Sequence, residues 1–371
     1  MSFTKLNDTF KGLLTYQAGG RCEFAGCNEC LLEDSLTKIV FNYKECAHII
    51  SDSPNGPRGR KDSQKYAKDI KNIMLLCPKH HKLVDSLPDK FPTKMLRKMK
   101  QQHEARVQRL LSLKDNKERT IVLYHANIGS AIISIPIEIA IETLWPKYYP
   151  SAEHVEIGRN NSFITENEAE FWKQEEEHLV KLFKQKIVER IDSKEITKMA
   201  LFALAPMPLL VKLGTLLSNK YKVQVFNKHR DTDSWKWKTN PVPDEFWLKK
   251  PDNTDGEPCL VFSISAAIRQ RVEEQYPEAS IWEITVPNPR LDYMQTEQQL
   301  RFFDAITMKA YADIQKRAKG EYVHVFMAMP NACAVEAGRV WMPKVDKPMR
   351  LYDYNKNISE KDRYALTIEN Q

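Results

Sequence analysis

The chain has 371 residues and a formal net charge of +7, and 42% of its residues are hydrophobic. This length predicts two or three domains. No apolar run reaches the roughly 18 residues of a membrane-spanning helix, and no signal peptide is recognisable. We therefore expect a cytoplasmic protein without a membrane partner, and the pattern of free-thiol and metal-type cysteines indicates a reducing compartment.

The positive charge is concentrated in the first third of the chain. Residues 1–119 contain 23 lysines and arginines against 14 aspartates and glutamates, a net charge of +9, so the remainder is slightly acidic. A basic segment attracts nucleic-acid phosphates without reading sequence. We expect Arg58 and Arg60, in the turn-rich NGPRGRK, to contact DNA phosphates.

Five motifs follow one another within residues 22–104: CEFAGC, ECAHI, GPRGR, KNIMLLCPKHHKLVD and KMKQQHE. Hydrolysis of a phosphodiester needs a general base and a divalent cation such as Mg²⁺. His48 ends a strand-like run, and its neutral imidazole can accept a proton near neutral pH. The amide of Asn72 can hold a loop or the imidazole of the base. His81 begins a helical run and is predicted to bind the cation, with His103 a second candidate for the same site.

A second group of residues has the spacing of a structural zinc site. Four residues separate its first two cysteines, and a C-x2-H pair supplies the rest. The predicted ligands are Cys22, Cys27, Cys77 and His80. Cys30 and Cys46 remain alternatives, because spacing alone does not exclude them. A closed metal site would supply the stability that a small, core-poor domain lacks.

Residues 20–104 resemble the HNH (ββα-metal) nucleases, whose members read C-x4-C, AHI, GPR, N-L-x-x-L-C-x-x-HH-x-x-I-D and K-x-x-HE in this order. The resemblance implies that His48 is the general base, Asn72 the central asparagine and His81 the metal ligand. It also implies zinc binding by the four residues of the predicted zinc site.

The chain departs from this pattern at one position. Many HNH nucleases place an aspartate metal ligand directly before the first histidine, whereas this chain has Ala47. Glu45, on the same face of the strand, and His103 are the available substitutes as second ligand of the catalytic metal.

The polar run LSLKDNKERT at 111–120 predicts a boundary between a domain of residues 1–112 and a domain of residues 113–371. Beyond it the chain alternates strand-like and helix-like segments, which is typical of an α/β fold. The predicted strands are TIVLYH from 120, LVFSIS at 260–265 and IWEITV at 281–286. The predicted helices cover 165–191 and 297–319.

An internal repeat organises this second domain. FALAPMPLLVKLG at 202–214 aligns without gaps on FMAMPNACAVEAG at 326–338, an offset of 124 residues. Each copy reads as a strand, a proline-marked turn, a helix and a glycine at the end of the helix, followed by another strand. We expect two Rossmann-like lobes, at about 120–245 and 246–371, that bind ligands at the carboxyl ends of their strands.

With SISAAI at 263–268 and the TVPNPR turn at 285–290, the repeat resembles the SAVED domain, a fused pair of CARF-like lobes that senses cyclic oligonucleotides. An HNH nuclease joined to SAVED is similar to one class of effector in bacterial CBASS anti-phage systems. The resemblance implies that a cyclic nucleotide, such as a cyclic dinucleotide, binds SAVED. It further implies that binding drives assembly into a homo-oligomer, a dimer or tetramer, and that the oligomer degrades double-stranded DNA.

A cyclic dinucleotide presents two bases and two phosphates. Aromatic side chains in loops are expected to stack on the bases, residues at strand ends to line the crevice, and two cations to meet phosphate. The predicted stacking residues are Trp235, Trp237 and Tyr354. The predicted crevice residues are Pro206, Met207, Ser265 and Asn331. The cations predicted to meet phosphate are Lys212 and Arg339.

Two other functions are compatible with parts of this pattern. One is an HNH restriction-type nuclease whose second half recognises modified DNA. The other is a zinc-stabilised, nucleotide-responsive DNA-binding regulator that does not cut. The slightly acidic second half argues against another DNA-reading domain, and the intact histidine–asparagine–histidine set argues against the regulator.

Overall fold

The structure is a computed structural model that describes residues 4–112, 115–129, 131–158, 164–239, 245–354 and 364–370. The chain divides into two compact units, residues 1–114 (unit 1) and 115–371 (unit 2). The predicted boundary after residue 112 borders residues 113–114, which lie outside the described residues. No helix in the described ranges is both long enough and apolar enough to cross a bilayer.

Unit 1 is built around an antiparallel strand pair followed by a helix. β1 (Glu45–His48) pairs with β2 (Ile73–Leu76), with Glu45 opposite Leu76 and His48 opposite Ile73. All four residues of β2 are buried. α2 (Pro78–Ser86) begins directly after β2, with Pro78 at its first position, where a missing N–H costs nothing.

Two further helices enclose this ββα element. α1 (Asp8–Gln17) precedes it and α3 (Thr93–Leu111) follows it. The apolar core that they share is small, with Leu14, Leu76 and Leu96 among its buried side chains.

The first sheet of unit 2 is entirely parallel, with the order β4-β3-β6-β7, and β5 also pairs with β3. Its strands are β3 (Glu118–His125), β4 (Tyr149–Pro150), β5 (Val155–Glu156), β6 (Met199–Leu204) and β7 (Val223–Phe226). Its helices are α4 (Ile137–Leu144), α5 (Ala169–Phe183), α6 (Glu189–Asp192) and α7 (Met207–Leu217). A π-helical turn, Lys184–Val188, joins α5 to α6, so the helix predicted for 165–191 is real but irregular.

The second sheet has the order β13-β12-β11-β9-β10-β8, with four parallel inner strands and an antiparallel strand at each edge. Its strands are β8 (Trp247–Lys249), β9 (Pro258–Ser263), β10 (Ser280–Thr285), β11 (Val323–Ala328), β12 (Met349–Tyr354) and β13 (Tyr364–Asn370). Its helices are α8 (Arg269–Gln275), α9 (Glu297–Arg317) and α10 (Asn331–Val340). The predicted α/β architecture of the second half is confirmed.

The sequence repeat corresponds to β6-α7-β7 and β11-α10-β12, with Pro206 and Pro330 as the residues that precede the two helices. The sequence predicted that the glycines of the repeat end the two helices. This prediction is wrong, because both glycines lie inside the helices. A Cβ added to Gly214 would lie 2.0 Å from the carbonyl oxygen of Val335, and one added to Gly338 would lie 2.0 Å from that of Val211. The glycines therefore let α7 and α10 touch backbone to backbone, related by a pseudo-twofold axis.

We expect Gly338→Ala to lower the free energy of unfolding of unit 2 by about 1–3 kcal/mol, because the added methyl group overpacks this helix contact. Gly12→Ala is the matched control, since Gly12 is also helical but has no atom within 4 Å of the added methyl group. Calorimetric melting checks both variants. An unchanged transition in Gly338→Ala would contradict the tight helix contact.

Candidate functional site

His48 and His81 lie in one cavity of about 370 Å³ in unit 1, which Asp85 also lines. The strand β1 ends at His48, and α2 places His81 and Asp85 one turn apart on the same face. The two histidines that the sequence assigns to catalysis and metal binding therefore meet in one open site.

A backbone carbonyl sets the tautomer of His48. The Nε2 atom of His48 lies 3.0 Å from the carbonyl oxygen of Ala67. A carbonyl only accepts hydrogen bonds, so Nε2 carries the proton and donates it, which leaves Nδ1 with a lone pair. In the neutral imidazole, Nδ1 is therefore the atom that could accept a proton.

Asn72 holds the loop after β1 rather than the imidazole. Its Oδ1 accepts from the backbone N–H of Ile50 at 3.0 Å, and its Nδ2 donates to the carbonyls of Ile50 at 2.9 Å and Tyr66 at 3.1 Å. The side chain is completely buried. The sequence left two roles open for Asn72, to hold a loop or to hold the imidazole of the base. The structure shows the first of these roles.

His81 stands between two carboxylates. Its Nε2 lies 3.3 Å from Asp85, and its Nδ1 lies 3.6 Å from Glu45. The hydrogen bond with Asp85 raises the pKa of His81, and the charges of both carboxylates add to this effect. An Nε2–H that donates to Asp85 leaves Nδ1 to face Glu45, so one nitrogen and one carboxylate oxygen are available to a divalent cation.

Arg58 is buried beside this site and holds it in place. The prediction that Arg58 contacts DNA phosphates is therefore wrong. Its side chain is only 5% exposed and donates to the carbonyls of Ile49 at 2.7 Å and Val84 at 2.6 Å. It also forms an ion pair with Asp85 at 2.8 Å. Although burial opposes the effect, His81 and Arg58 together lower the pKa of Asp85. Asp85 was not predicted as a site residue. Its spacing of four residues from His81 on a predicted helix could have indicated that the two side chains meet.

Two other predicted site residues, His103 and Arg60, lie in different environments. His103 is buried on α3, where its Nε2 lies 2.9 Å from the carbonyl oxygen of Ala18, and it does not line the cavity. Its assignment as a metal ligand is therefore corrected to a contact between α3 and the end of α1. Arg60 is exposed, lies 5.2 Å from the ring centre of Tyr66 and has a long ion pair with Asp62 at 4.0 Å, so its guanidinium is accessible to a phosphate.

The four predicted zinc ligands form one cluster. Within the described part of the chain, the structure has a single group of three or more potential metal-binding side chains whose ligand atoms all lie within 4.8 Å of one another: Cys22, Cys27, Cys77 and His80. These separations fit a tetrahedral ion with sulfur ligands at about 2.3 Å. Cys30 and Cys46 do not belong to the cluster.

The surroundings of the cluster favour a bound cation. Phe24 stacks on His80 with ring centres 4.2 Å apart and planes 2° apart, which fixes the imidazole. The Nδ1 atom of His80 then lies 3.1 Å from the sulfur of Cys77 and 3.7 Å from that of Cys22. Burial raises the pKa of Cys22 to about 12, so a thiolate here needs a positive charge beside it.

In unit 2, the predicted crevice residues do lie at the carboxyl ends of strands. Pro206 and Met207 begin α7 just after β6, and Ser265 follows β9, where its N–H donates to Ala328 at 2.7 Å. Asn331 begins α10, but its buried amide accepts from the backbone of Lys228 at 3.1 Å and donates to Ala203 at 2.8 Å. Its predicted role as a ligand contact is corrected to a bridge between the two lobes.

Both cations predicted to meet phosphate have partners within the protein. Lys212 forms an ion pair with Glu176 at 2.8 Å. Arg339 pairs with Glu336, one turn away on α10, at 2.5 Å and donates to the carbonyl of Ser218. Neither cation is free for a phosphate without breaking these contacts.

The three predicted stacking residues differ in exposure. Trp235, expected to stack on a base from a loop, is only 2% exposed and packs edge-on against Phe202 with ring centres 5.4 Å apart. This expectation was wrong, because the loop folds back onto the sheet. Trp237 is half-buried and lines a cavity of about 630 Å³. Tyr354 is the last residue of β12 rather than a loop residue, and the guanidinium of Arg271 lies 5.4 Å from its ring centre.

Three structures of known proteins resemble this chain at low sequence identity. The Acinetobacter baumannii Cap4 SAVED/CARF-domain containing receptor with the cyclic trinucleotide 2'3'3'-cAAA is 15% identical, with a TM-score of 0.45, over 84% of this chain and 67% of that one. The same receptor in another structure is 14% identical, with a TM-score of 0.44, over 84% and 66%. The Moraxella osloensis Cap4 SAVED/CARF-domain containing receptor is 13% identical, with a TM-score of 0.39, over 78% and 60%.

No curated protein sequence is detectably similar to the chain. Residues 179–369, in contrast, match a protein family, the SMODS-associated and fused to various effectors sensor domain, abbreviated SAVED. The matched residues make up more than half of the chain and lie within unit 2. The chain belongs to the SAVED family.

Proposed function

We propose that this protein is a metal-dependent endonuclease for double-stranded DNA that a cyclic oligonucleotide activates, and that it acts in the cytoplasm in defence against phage. The observation that carries the proposal is the cavity on a ββα element that His48, His81 and Asp85 line, with Glu45 beside His81. A SAVED sensor domain in the same chain supplies a means of control.

The residues of the cavity have separable tasks in phosphodiester hydrolysis. His48 accepts a proton from the attacking water at Nδ1, since its Nε2–H is donated to Ala67. His81 and Glu45 offer one nitrogen and one carboxylate oxygen to a divalent cation, and the carboxylate is the donor that suits Mg²⁺. The cation would neutralise negative charge that develops on the phosphate.

Two residues position this machinery without touching substrate. Asp85 accepts from Nε2 of His81 and thereby directs Nδ1 towards Glu45. Arg58 holds Asp85 and the backbone after β1 in place. Arg60, which remains exposed, is the proposed phosphate contact from this loop.

The sensor half determines when the nuclease acts. A nuclease with a complete site would attack the DNA of its own cell, so the free protein must be restrained. The Cap4 receptor is known with a bound cyclic trinucleotide, and we propose a cyclic di- or trinucleotide as the activating ligand of this chain. Binding would favour a homo-oligomer, a dimer or tetramer, in which nuclease units act on both DNA strands.

The proposed function is tested with plasmid DNA, Mg²⁺ and a panel of cyclic di- and trinucleotides. We expect degradation of the plasmid with at least one member of the panel, and loss of degradation when EDTA removes the Mg²⁺. The proposed function would be refuted if no member of the panel supports cleavage and the ligand-free protein is equally inactive with Mn²⁺.

A further inference from the structure

The second sheet of unit 2 has an open edge at β8. This strand is last in the sheet order and pairs with β10, so its other side has no strand partner in the part of the chain that the structure describes. An open edge presents a row of backbone N–H and C=O groups that can pair with another extended chain. β8 is therefore a template for one more strand.

A groove lies beside this open edge. Helix α9 packs on β10 and β8, and a cavity of about 670 Å³ lies between α9 and β8. Ala305 and Ala312 line it from α9, where a spacing of seven residues places them about two turns apart. Their small side chains leave open space beside the strand. We call this space between α9 and β8 the edge groove.

One end of the edge groove is apolar. Phe246, just before β8, and Leu248 line it from the side of the strand. Phe302 and Ile306 line it from α9, and Phe302 is 46% exposed. The ring of Phe246 is held in place by packing on Phe303, with ring centres 6.0 Å apart. A contiguous exposed apolar surface of this kind is typical of a site that binds a partner.

The other end of the edge groove is basic. Lys250, Lys309 and Lys316 line it. Asp313, which carries the one carboxylate among the described lining residues, is already bound by Lys250 at 2.7 Å and by Arg317 at 3.3 Å. Lys309 and Lys316 form no ion pair within the described ranges, so this end has positive charge that no carboxylate compensates.

The edge groove therefore has a direction. The contacts of Phe246 with Phe303 and of Lys250 with Asp313 show that β8 and α9 run side by side from the apolar end to the basic end. Residues 120–371 have a net charge of −2, because residues 1–119 carry +9 and the whole chain +7. The basic end is thus a local departure from a slightly acidic domain.

We propose that the edge groove binds an extended segment of a partner protein. The segment adds to β8 as a further strand, and its alternate side chains point into the groove. Apolar side chains at one end of the segment contact Phe302 and Ile306, and acidic side chains at the other end contact Lys309 and Lys316. Main-chain hydrogen bonds to β8 supply affinity, while the two ends of the groove select the sequence.

The charge of the groove favours such a partner over a second copy of this chain. In a symmetric pair both copies offer the same surface, so two edge grooves would bring Lys309 and Lys316 of both copies together. Like charges that face each other across an interface are unfavourable. The proposal rests on the groove alone, and it depends neither on nuclease activity nor on the activating ligand.

Fluorescence anisotropy with the full chain tests the proposal. The probes are fluorescein-labelled octapeptides of the sequence TZTZTETE, in which each Z is valine, isoleucine, leucine or phenylalanine. Their alternate side chains are two apolar and two acidic residues. We expect at least one of these peptides to bind, and its counterpart TZTZTKTK to bind about tenfold more weakly or less.

Substitutions in the groove identify the site. Lys309→Glu should weaken binding of the acidic peptide by about tenfold or more, while Lys309→Arg retains it. Lys344→Glu is the matched control, an equal charge change at an exposed position of unit 2 outside the groove. Phe302→Ser should also weaken binding, whereas Met342→Ser, at a residue of similar exposure, should not. Thermal melting of each variant separates loss of binding from loss of folding.

Backbone methylation tests the addition of a strand. Alternate residues of a strand direct their N–H groups to opposite edges, so N-methyl groups at the odd or at the even positions of the peptide block one edge each. We expect one methylated peptide to lose binding and the other to keep it. Binding by both, or by neither, would contradict strand addition.

The remaining outcomes distinguish the occupants of the groove. Binding of an acidic peptide with the expected variant effects supports the proposal. Absence of binding by the whole panel, equal binding of acidic and basic peptides, or equal loss in Lys309→Glu and Lys344→Glu overturns it. If no peptide binds and Phe302→Ser lowers the mass of the protein in light scattering, the groove is an interface between copies of this chain, and the proposal is wrong.

Discussion

His48→Ala is expected to reduce plasmid cleavage by about 10²- to 10⁴-fold, the usual cost of removing a general base. The substitution deletes the imidazole that is proposed as the general base and that hydrogen-bonds to a backbone carbonyl. It breaks one hydrogen bond to Ala67 and leaves the Cys/His cluster intact, so we expect the variant to fold. Initial rates of supercoiled plasmid loss, at saturating activator and Mg²⁺, provide the measurement.

His154→Ala is the control for this variant. His154 is exposed in unit 2, so its substitution removes an imidazole without changing the cavity. It should cleave at the parental rate. Cleavage by His48→Ala at a similar rate would show that another group activates the water.

Cys77→Ser is expected to release zinc and to unfold unit 1. The sulfur of Cys77 lies 3.1 Å from Nδ1 of His80, and both residues start α2, which carries His81. Structural zinc sites commonly bind with an apparent free energy of about 10–16 kcal/mol, which is comparable with the whole stability of a domain. Metal analysis by mass spectrometry, combined with limited proteolysis of residues 1–114, measures the effect.

Cys30→Ser and Cys46→Ser are matched controls, since both cysteines lie outside the cluster. Each should retain zinc and resist protease like the parent. If Cys77→Ser behaves like these controls, the cluster is not a zinc site, and the stability of unit 1 must come from elsewhere.

The sequence predicted well those features that spacing determines. The motif order predicted that His48 and His81 lie close together, and it picked the four residues of the Cys/His cluster out of six candidates. Short strands and helices determine how far apart such residues lie. The offset of 124 residues predicted two related βαβ segments. It did not reveal why the glycines recur, since the contact between Gly214 and Gly338 exists only when both lobes are folded.

Side-chain direction in irregular segments was the main source of error. Arg58 and Trp235 both lie in polar loops and were expected to face outward. The loop of Arg58 places its guanidinium against backbone carbonyls and Asp85, whereas Trp235 packs on Phe202. Long arginine and large aromatic side chains can fold inward when a partner is present, and the partner comes from a distant part of the chain.

One experiment measures the proposed coupling between the sensor and the nuclease directly. The mass of the protein by light scattering and the rate of plasmid cleavage should be followed in the same sample, with Mg²⁺, as the activating cyclic nucleotide is added. We expect low cleavage by the free protein and a joint rise of mass and rate. A hundredfold activation requires that the ligand bind the assembled state more tightly by about 2.7 kcal/mol. Equal cleavage without ligand, or activation without any change in mass, would contradict the account.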